Sequence, residues 1–110
     1  MELDPEDPFE AVVAEMVTMN RKKRKDYAGE DHPFQNFYDS AYQQSATGGN
    51  SCECLIATKQ SRLRTLLRDN ANAPENESIE DTLIDRAVYT AIAVAIYKEG
   101  GYDPNKQPWL

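Results

Sequence analysis

The sequence predicts an all-α fold: a compact bundle of about four helices with a central apolar C-terminal helix. Three observations predict it. Capping-type start signals precede three of the four apolar-periodic segments. The segment from Ala87 to Ile96 is apolar nearly all round, as a helix at the centre of a bundle is. No run of alternating polar and apolar residues demands a strand.

The elements follow in order. "DPFE" places Asp7 as N-cap, Pro8 at the first helical position and Glu10 three residues after the cap. Phe9, Val12, Val13, Met16 and Met19 or Asn20 then recur at helical spacing, and this helix is expected to last to about Lys25. The turn formers of "AGEDHP" break it. "FQNFYDSAYQQSA" reads as a short second helix from Phe34 to about Ala46, ended by "TGGN". Asn50 is the expected cap of the third helix, with Glu53 completing a capping box and the helix running to about Asp69. "NANAPENE" is a polar loop. Ser78 with Asp81 resembles another box, and the fourth helix runs to about Glu99, where Gly100 and Gly101 stop it. The tail "YDPNKQPWL" is Pro-interrupted. It either frays or packs across a neighbouring subunit with Trp109 as anchor. The chain thus reads as one domain over 1–110, with flexible residues 1–6 and a Pro-containing tail at 101–110.

Charge narrows the function. With 110 residues and a formal net charge of −7, the chain repels phosphate backbones at long range, which argues against general nucleic-acid binding. A local exception is "RKKRK", Arg21 to Lys25. It reads either as a solvated helix end, where cations suit the macrodipole, or as a phosphate-attracting patch that includes Lys25. Cys52 and Cys54 form a lone C-x-C pair, too few ligands for tetrahedral zinc and no disulfide framework, so a reducing compartment fits. The lone His32 reads as an exposed loop histidine. The acidic start "MELDPEDPFE" has no secretory character, and no apolar run is long enough to span a membrane. A cytoplasmic location with no membrane partner is expected.

One charge sits where the pattern forbids it. On a helical wheel, Cys52, Leu55, Ile56, Leu63, Leu66 and Leu67 form one apolar stripe, and Lys59 falls near its middle. Arg62 lies at the edge of the stripe. A lysine centred on an apolar face is costly to bury unless it is paired. The fourth helix supplies partners: Glu77, Asp81 and Asp85 recur every four residues, on a row that continues as Val88, Ile92 and Ile96. Two readings follow. In one, Lys59 and Asp85 are a half-buried ion pair that orients two helices. In the other, Lys59 and Arg62 grip phosphate oxygens while the carboxylates hold Mg²⁺, which prefers oxygen ligands and bridges to phosphates.

"RKKRKDYAGEDHPFQNF", "KQSRL" and "ESIEDTLIDRAVY", taken together, resemble the small phage and bacterial proteins of the nucleotide-modification-associated domain type 1 family. The matching elements are Lys23, Asp26 and Tyr27; Phe34, Asn36 and Phe37; Lys59, Arg62 and Leu63; and Glu77 to Asp85. The last element is also similar to a helix of the MazG-like all-α nucleotide pyrophosphohydrolases. In those enzymes acids on two helices bind Mg²⁺, and a metal-bound water cleaves a nucleoside triphosphate. The resemblance implies a nucleotide ligand contacted by Asp26, Tyr27, Asn36, Lys59 and Arg62, with Lys25 of the basic patch as a further candidate, and a metal held by Glu77, Asp81 and Asp85. It also implies a homo-oligomer, since MazG-like sites commonly form between subunits.

Asn36 has both a donor and an acceptor to read a base edge, and Tyr27, Phe34 or Phe37 can stack on a base or simply fill a core. The chain departs from the MazG-like pattern on the preceding helix, which offers only Glu53, with Lys59 and Arg62 where further acids belong. More cations and fewer acids suit binding a phosphate better than activating water beside it. The expectation is a nucleotide-binding protein associated with nucleotide metabolism, DNA-base modification or sequestration of a nucleotide signal. A Mg²⁺-dependent pyrophosphohydrolase and a helical interaction module without a ligand are the alternatives.

Overall fold

The computed structural model describes residues 2–27, 32–44, 46–68 and 79–110. All its regular elements are helices: α1 (Pro8–Tyr27), α2 (Gln35–Gln43), α3 (Gly48–Arg68) and α4 (Ile79–Lys98). Among the described residues there is no strand. The chain divides into two compact units, Met1–Gln35 and Asn36–Leu110.

In the first unit, Asp7 caps α1 as its sequence requires. One carboxylate oxygen, Oδ1, accepts the backbone N–H groups of Phe9 at 2.9 Å and Glu10 at 3.0 Å. Pro8 follows at the first helical position, where its missing N–H costs nothing. Glu10 does not close a reciprocal box; its Oε1 accepts instead from the backbone N–H of Asp4 at 3.4 Å. Val13, Met16, Met19, Asn20 and Lys23 form a half-buried face, while Phe9 and Val12 are exposed, so the apolar stripe is narrower than its spacing suggests. His32 has a structural task that loop position alone does not suggest: its Nδ1 accepts the backbone N–H of Phe34 at 3.0 Å, and its carbonyl accepts that of Gln35 at 3.2 Å, at the start of α2.

The second unit holds the buried core. Phe37, Tyr38 and Ala41 from α2 meet Cys52, Ile56 and Leu63 from α3 and Ile84, Val88, Ala93 and Ile96 from α4. The pairing of α3 with α4 is the most extensive, and it is antiparallel: the first turn of α3 meets the end of α4, where Gly49 N–H donates to Gly101 O at 3.0 Å. Midway, the Cys52 thiol donates to Tyr89 O at 3.2 Å. The outer face of α4 keeps Leu83, Val94 and Tyr97 exposed, so the helix carries more apolar surface than the unit itself buries.

Two boundaries differ from the sequence expectation. First, α2 ends at Gln43, and Ala46 N–H returns to Ala41 O at 2.9 Å. Second, the cap of α3 is Thr47, not Asn50. Thr47 Oγ1 accepts the Asn50 N–H at 3.1 Å, and Asn50 Oδ1 accepts the Thr47 N–H at 3.3 Å and its hydroxyl at 2.7 Å. This is a capping box with Asn50 in the third helical position. Gly48 and Gly49 are therefore the first turn of α3 rather than a breaker. Their lack of a side chain is used for close approach: a Cβ on Gly48 would lie 2.5 Å from the Tyr38 ring, and one on Gly49 would lie 2.5 Å from the Tyr102 ring.

α4 stops as expected. Gly100 has φ +86, its N–H donates to Tyr97 O at 3.0 Å, and Gly101 N–H donates to Ile96 O at 2.8 Å, the two bonds of a Schellman cap. The tail then departs from expectation, because it docks on its own chain. Gln107, 4% exposed, accepts Gly48 N–H through Oε1 at 2.9 Å and donates through Nε2 to Gly101 O at 3.3 Å and Asp103 O at 2.7 Å. Trp109 lies edge-on to Tyr42 with ring centroids 5.5 Å apart. A segment whose side chains satisfy buried backbone groups is held in place whatever its proline content.

Candidate functional site

The lysine that the apolar stripe of α3 cannot accommodate alone does meet a carboxylate of α4. Lys59 Nζ lies 3.0 Å from Asp85 Oδ2, with 19% of the lysine side chain and 11% of the aspartate side chain exposed. A helical side chain leans toward its own N-terminus, so Lys59 reaches back along α3. That direction points toward the antiparallel run of α4 that carries Asp85. Asp85 itself is buried, closer to an enclosed ion pair than to an open cleft.

Arg62 and Asp81 extend the pair outward. Arg62 stands three residues beyond Lys59 and Asp81 four residues before Asp85, rises of about 4.5 and 6 Å along antiparallel helices. Both stand at the same level, and both are exposed. The seam thus has a buried plus–minus pair and, one turn nearer solvent, a second cation and a second acid. Asp81 also lies in the first turn of α4, where a carboxylate suits the helix dipole.

The remaining expected residues are distributed as follows. Asn36 is half-buried in the first turn of α2, within the same unit as the seam. Lys25 is exposed in the last turn of α1, and Asp26 and Tyr27 follow it in that helix, all within the first unit. Glu77 and the expected cap Ser78 lie outside the described residues. Among the described residues, no three His, Cys, Asp or Glu side chains are grouped to hold a metal ion. Asp81 and Asp85 are the acids of the expected metal set that can be placed. No helix among the described residues is long and apolar enough to cross a membrane.

Sequence reasoning missed a polar corner around the start of α3. Tyr102 donates its hydroxyl to Glu53 Oε1 at 2.7 Å, so Glu53 holds the tail rather than a capping box. Burial, then this bond, pushes the Tyr102 phenol well above its ordinary value. The Tyr38 phenol is pushed up to about 12 by burial and by its charge and hydrogen-bond contact with Glu99. Burial and the nearby Glu53 charge raise the Cys52 thiol to about 11, so it is inert as a nucleophile near neutral pH. Beside this corner an open cavity of about 500 Å³ is lined by Tyr42, Thr47, Asn50, Tyr102, Gln107 and Trp109. The only sequence sign of it is the aromatic content of the tail. No family model, no curated protein and no solved structure matches this chain.

Proposed function

We propose that the chain is a nucleotide-binding protein that takes phosphate at the α3–α4 seam and does not turn it over. One observation carries the reading: Lys59 and Asp85 are joined at 3.0 Å in near-dry surroundings, with Arg62 and Asp81 exposed one turn outward. A buried ion pair is a poor stabiliser, and apolar residues of similar size often do better. Its presence in an otherwise apolar stripe therefore supports a role beyond packing.

Arg62, reinforced by Lys59, would hold phosphate oxygens by charge-assisted hydrogen bonds. Asp81 and Asp85 would share a Mg²⁺ ion with those phosphates, as Mg²⁺ sites with one or two carboxylates do. The resemblance to the nucleotide-modification-associated family, with its phage-type members, favours the same ligand and a site in the cytoplasm of a host cell. The exposed Leu83, Val94 and Tyr97 on α4 favour a homo-oligomer, since such a row is left over after the unit has formed its core.

The test is equilibrium dialysis against a panel of nucleotides, with and without Mg²⁺, alongside a phosphate-release assay. Arg62→Gln and Asp81→Asn are the informative variants because both positions are exposed. Arg62→Gln is expected to weaken binding tenfold or more in either condition. Asp81→Asn is expected to weaken it mainly when Mg²⁺ is present. Release of pyrophosphate would replace the binding role with the hydrolytic one. Absence of binding by any nucleotide would leave the purely structural reading, a Lys59–Asp85 ion pair that orients two helices.

A further inference from the structure

We infer that the cavity beside the start of α3 is a docking site for a proline-rich peptide in the polyproline II conformation, preferably one with a basic flank. The inference rests on which hydrogen-bonding groups the fold has already used. Thr47 and Asn50 consume each other: the Asn50 side-chain oxygen accepts both the Thr47 N–H and its hydroxyl, and the Thr47 oxygen accepts the Asn50 N–H. Gln107 is spent at both ends, on Gly48, Gly101 and Asp103. The Tyr102 hydroxyl proton goes to Glu53.

Among the described residues, three lining groups then have no protein partner. They are the Asn50 amide NH₂, the Trp109 indole N–H and the Tyr42 hydroxyl. The first two are donors only, and the third donates as well as accepts. Such a wall fits a ligand that is rich in acceptors and poor in donors. A nucleobase or a sugar brings its own N–H or O–H groups, while the Asn50 side-chain oxygen already accepts two bonds and that of Gln107 is buried against Gly48 N–H. A polyproline II strand answers the requirement. Its backbone carbonyls have no internal partner, and proline has no N–H.

The rest of the lining agrees. Tyr42, Tyr102 and Trp109 with Pro104 offer flat apolar faces for prolyl rings, the surface on which such peptides dock. Tyr42 is 59% exposed and Trp109 37%, so these faces are open to an incoming chain. A volume of about 500 Å³ lies within the range of ligand-sized pockets, roughly 300–1,000 Å³. No charged side chain lines the cavity, while the net charge of −7 draws a basic flank and repels polyanions. Every lining residue belongs to the second unit, so the site is complete within it.

The experiment is a calorimetric and fluorescence titration of the intact chain. The probes are an acetylated hexaproline peptide, the same peptide with a terminal Arg-Arg, and an Ala-Ser peptide of equal length. Trp109 is the only tryptophan, so its emission reports the cavity directly. Saturable binding of the proline peptides is expected, at least tenfold tighter than the Ala-Ser peptide and tighter again with Arg-Arg. Asn50→Asp keeps an oxygen for Thr47 but removes the two amide donors. It is expected to reduce proline-peptide affinity tenfold or more while the melting temperature stays within a few degrees. Tyr42→Ala is expected to act in the same direction. Equal binding of the Ala-Ser peptide, unchanged affinity in Asn50→Asp, or a Trp109 response to free nucleosides or oligosaccharides but not to hexaproline would overturn the assignment.

Discussion

The side-chain amide of Gln107 holds the backbone N–H of Gly48 at 2.9 Å across 59 positions of sequence. That N–H belongs to the first turn of α3, one of the donors a helix cannot satisfy internally. With its other end the same amide binds two carbonyls that follow α4. The start of one helix and the segment leaving another are therefore fastened by a single side chain.

Gln107→Leu fills the same space without these bonds. It leaves the Gly48 N–H without a partner, while the Gly101 and Asp103 carbonyls keep the N–H groups of Gly49 and Lys106, and is expected to cost about 1–3 kcal/mol, the cost of one buried group left unsatisfied. Urea unfolding followed by circular dichroism measures it. A loss under about half a kcal/mol would mean that water replaces the amide.

Lys59→Met is expected to cost about 3–5 kcal/mol, because it takes the cation away from the buried Asp85 carboxylate. Lys59→Met combined with Asp85→Leu is expected to recover most of that loss. Thermal melts of both single variants and the double variant give the coupling. Additive losses with no recovery would show that the two charges act independently.

Gly48→Ala places a methyl group 2.5 Å from a buried tyrosine ring that cannot swing away, since Tyr38 is only 4% exposed. A loss of about 1–3 kcal/mol is expected, the usual cost of overpacking. In an exposed helix the same change would stabilise, so the sign of the shift in melting temperature is the readout.

Alkaline pH is expected to unfold the protein in two overlapping stages. The Cys52 thiol, raised from 9.0 to about 11, and the Tyr38 phenol, raised from 10.0 to about 12, are both held neutral by the fold. For each, the stabilisation is complete below the unfolded value and is lost as pH rises through the folded one. Stability should therefore be flat to about pH 9 and fall between about 9 and 12, with a fraction of the six tyrosines ionising late. Melting temperatures and tyrosinate absorbance across that range check it. Normal ionisation of all six tyrosines in the folded state would contradict it.

Much of the fold is legible in the sequence wherever local chemistry has one solution. Asp7 before Pro8 and Gly100 after α4 are end signals with a single physical meaning, and both ends stand where they point. Lys59 is legible because a cation inside an apolar stripe requires a partner, and Asp85 is the acid on the facing row. The expected cap at Asn50 is misplaced for a related reason. Thr47 and Asn50 both cap well, and the glycines between them read as a break until the rings of Tyr38 and Tyr102 show why side chains are absent there. The Gln107 clasp and the Tyr42–Trp109 cavity leave no periodic trace. They join residues brought together only by tertiary folding, so neither spacing nor composition announces them.

The two cysteines stand two positions apart on α3 with opposite fates. Cys52 is fully enclosed, its thiol turned to the Tyr89 carbonyl and slow to ionise, whereas Cys54 is exposed. A maleimide reagent at neutral pH therefore has one place to react. The native sequence accepts a single dye or spin label on α3 without engineering, and that label can be paired with the sole indole at Trp109 to follow how the tail moves when a ligand arrives.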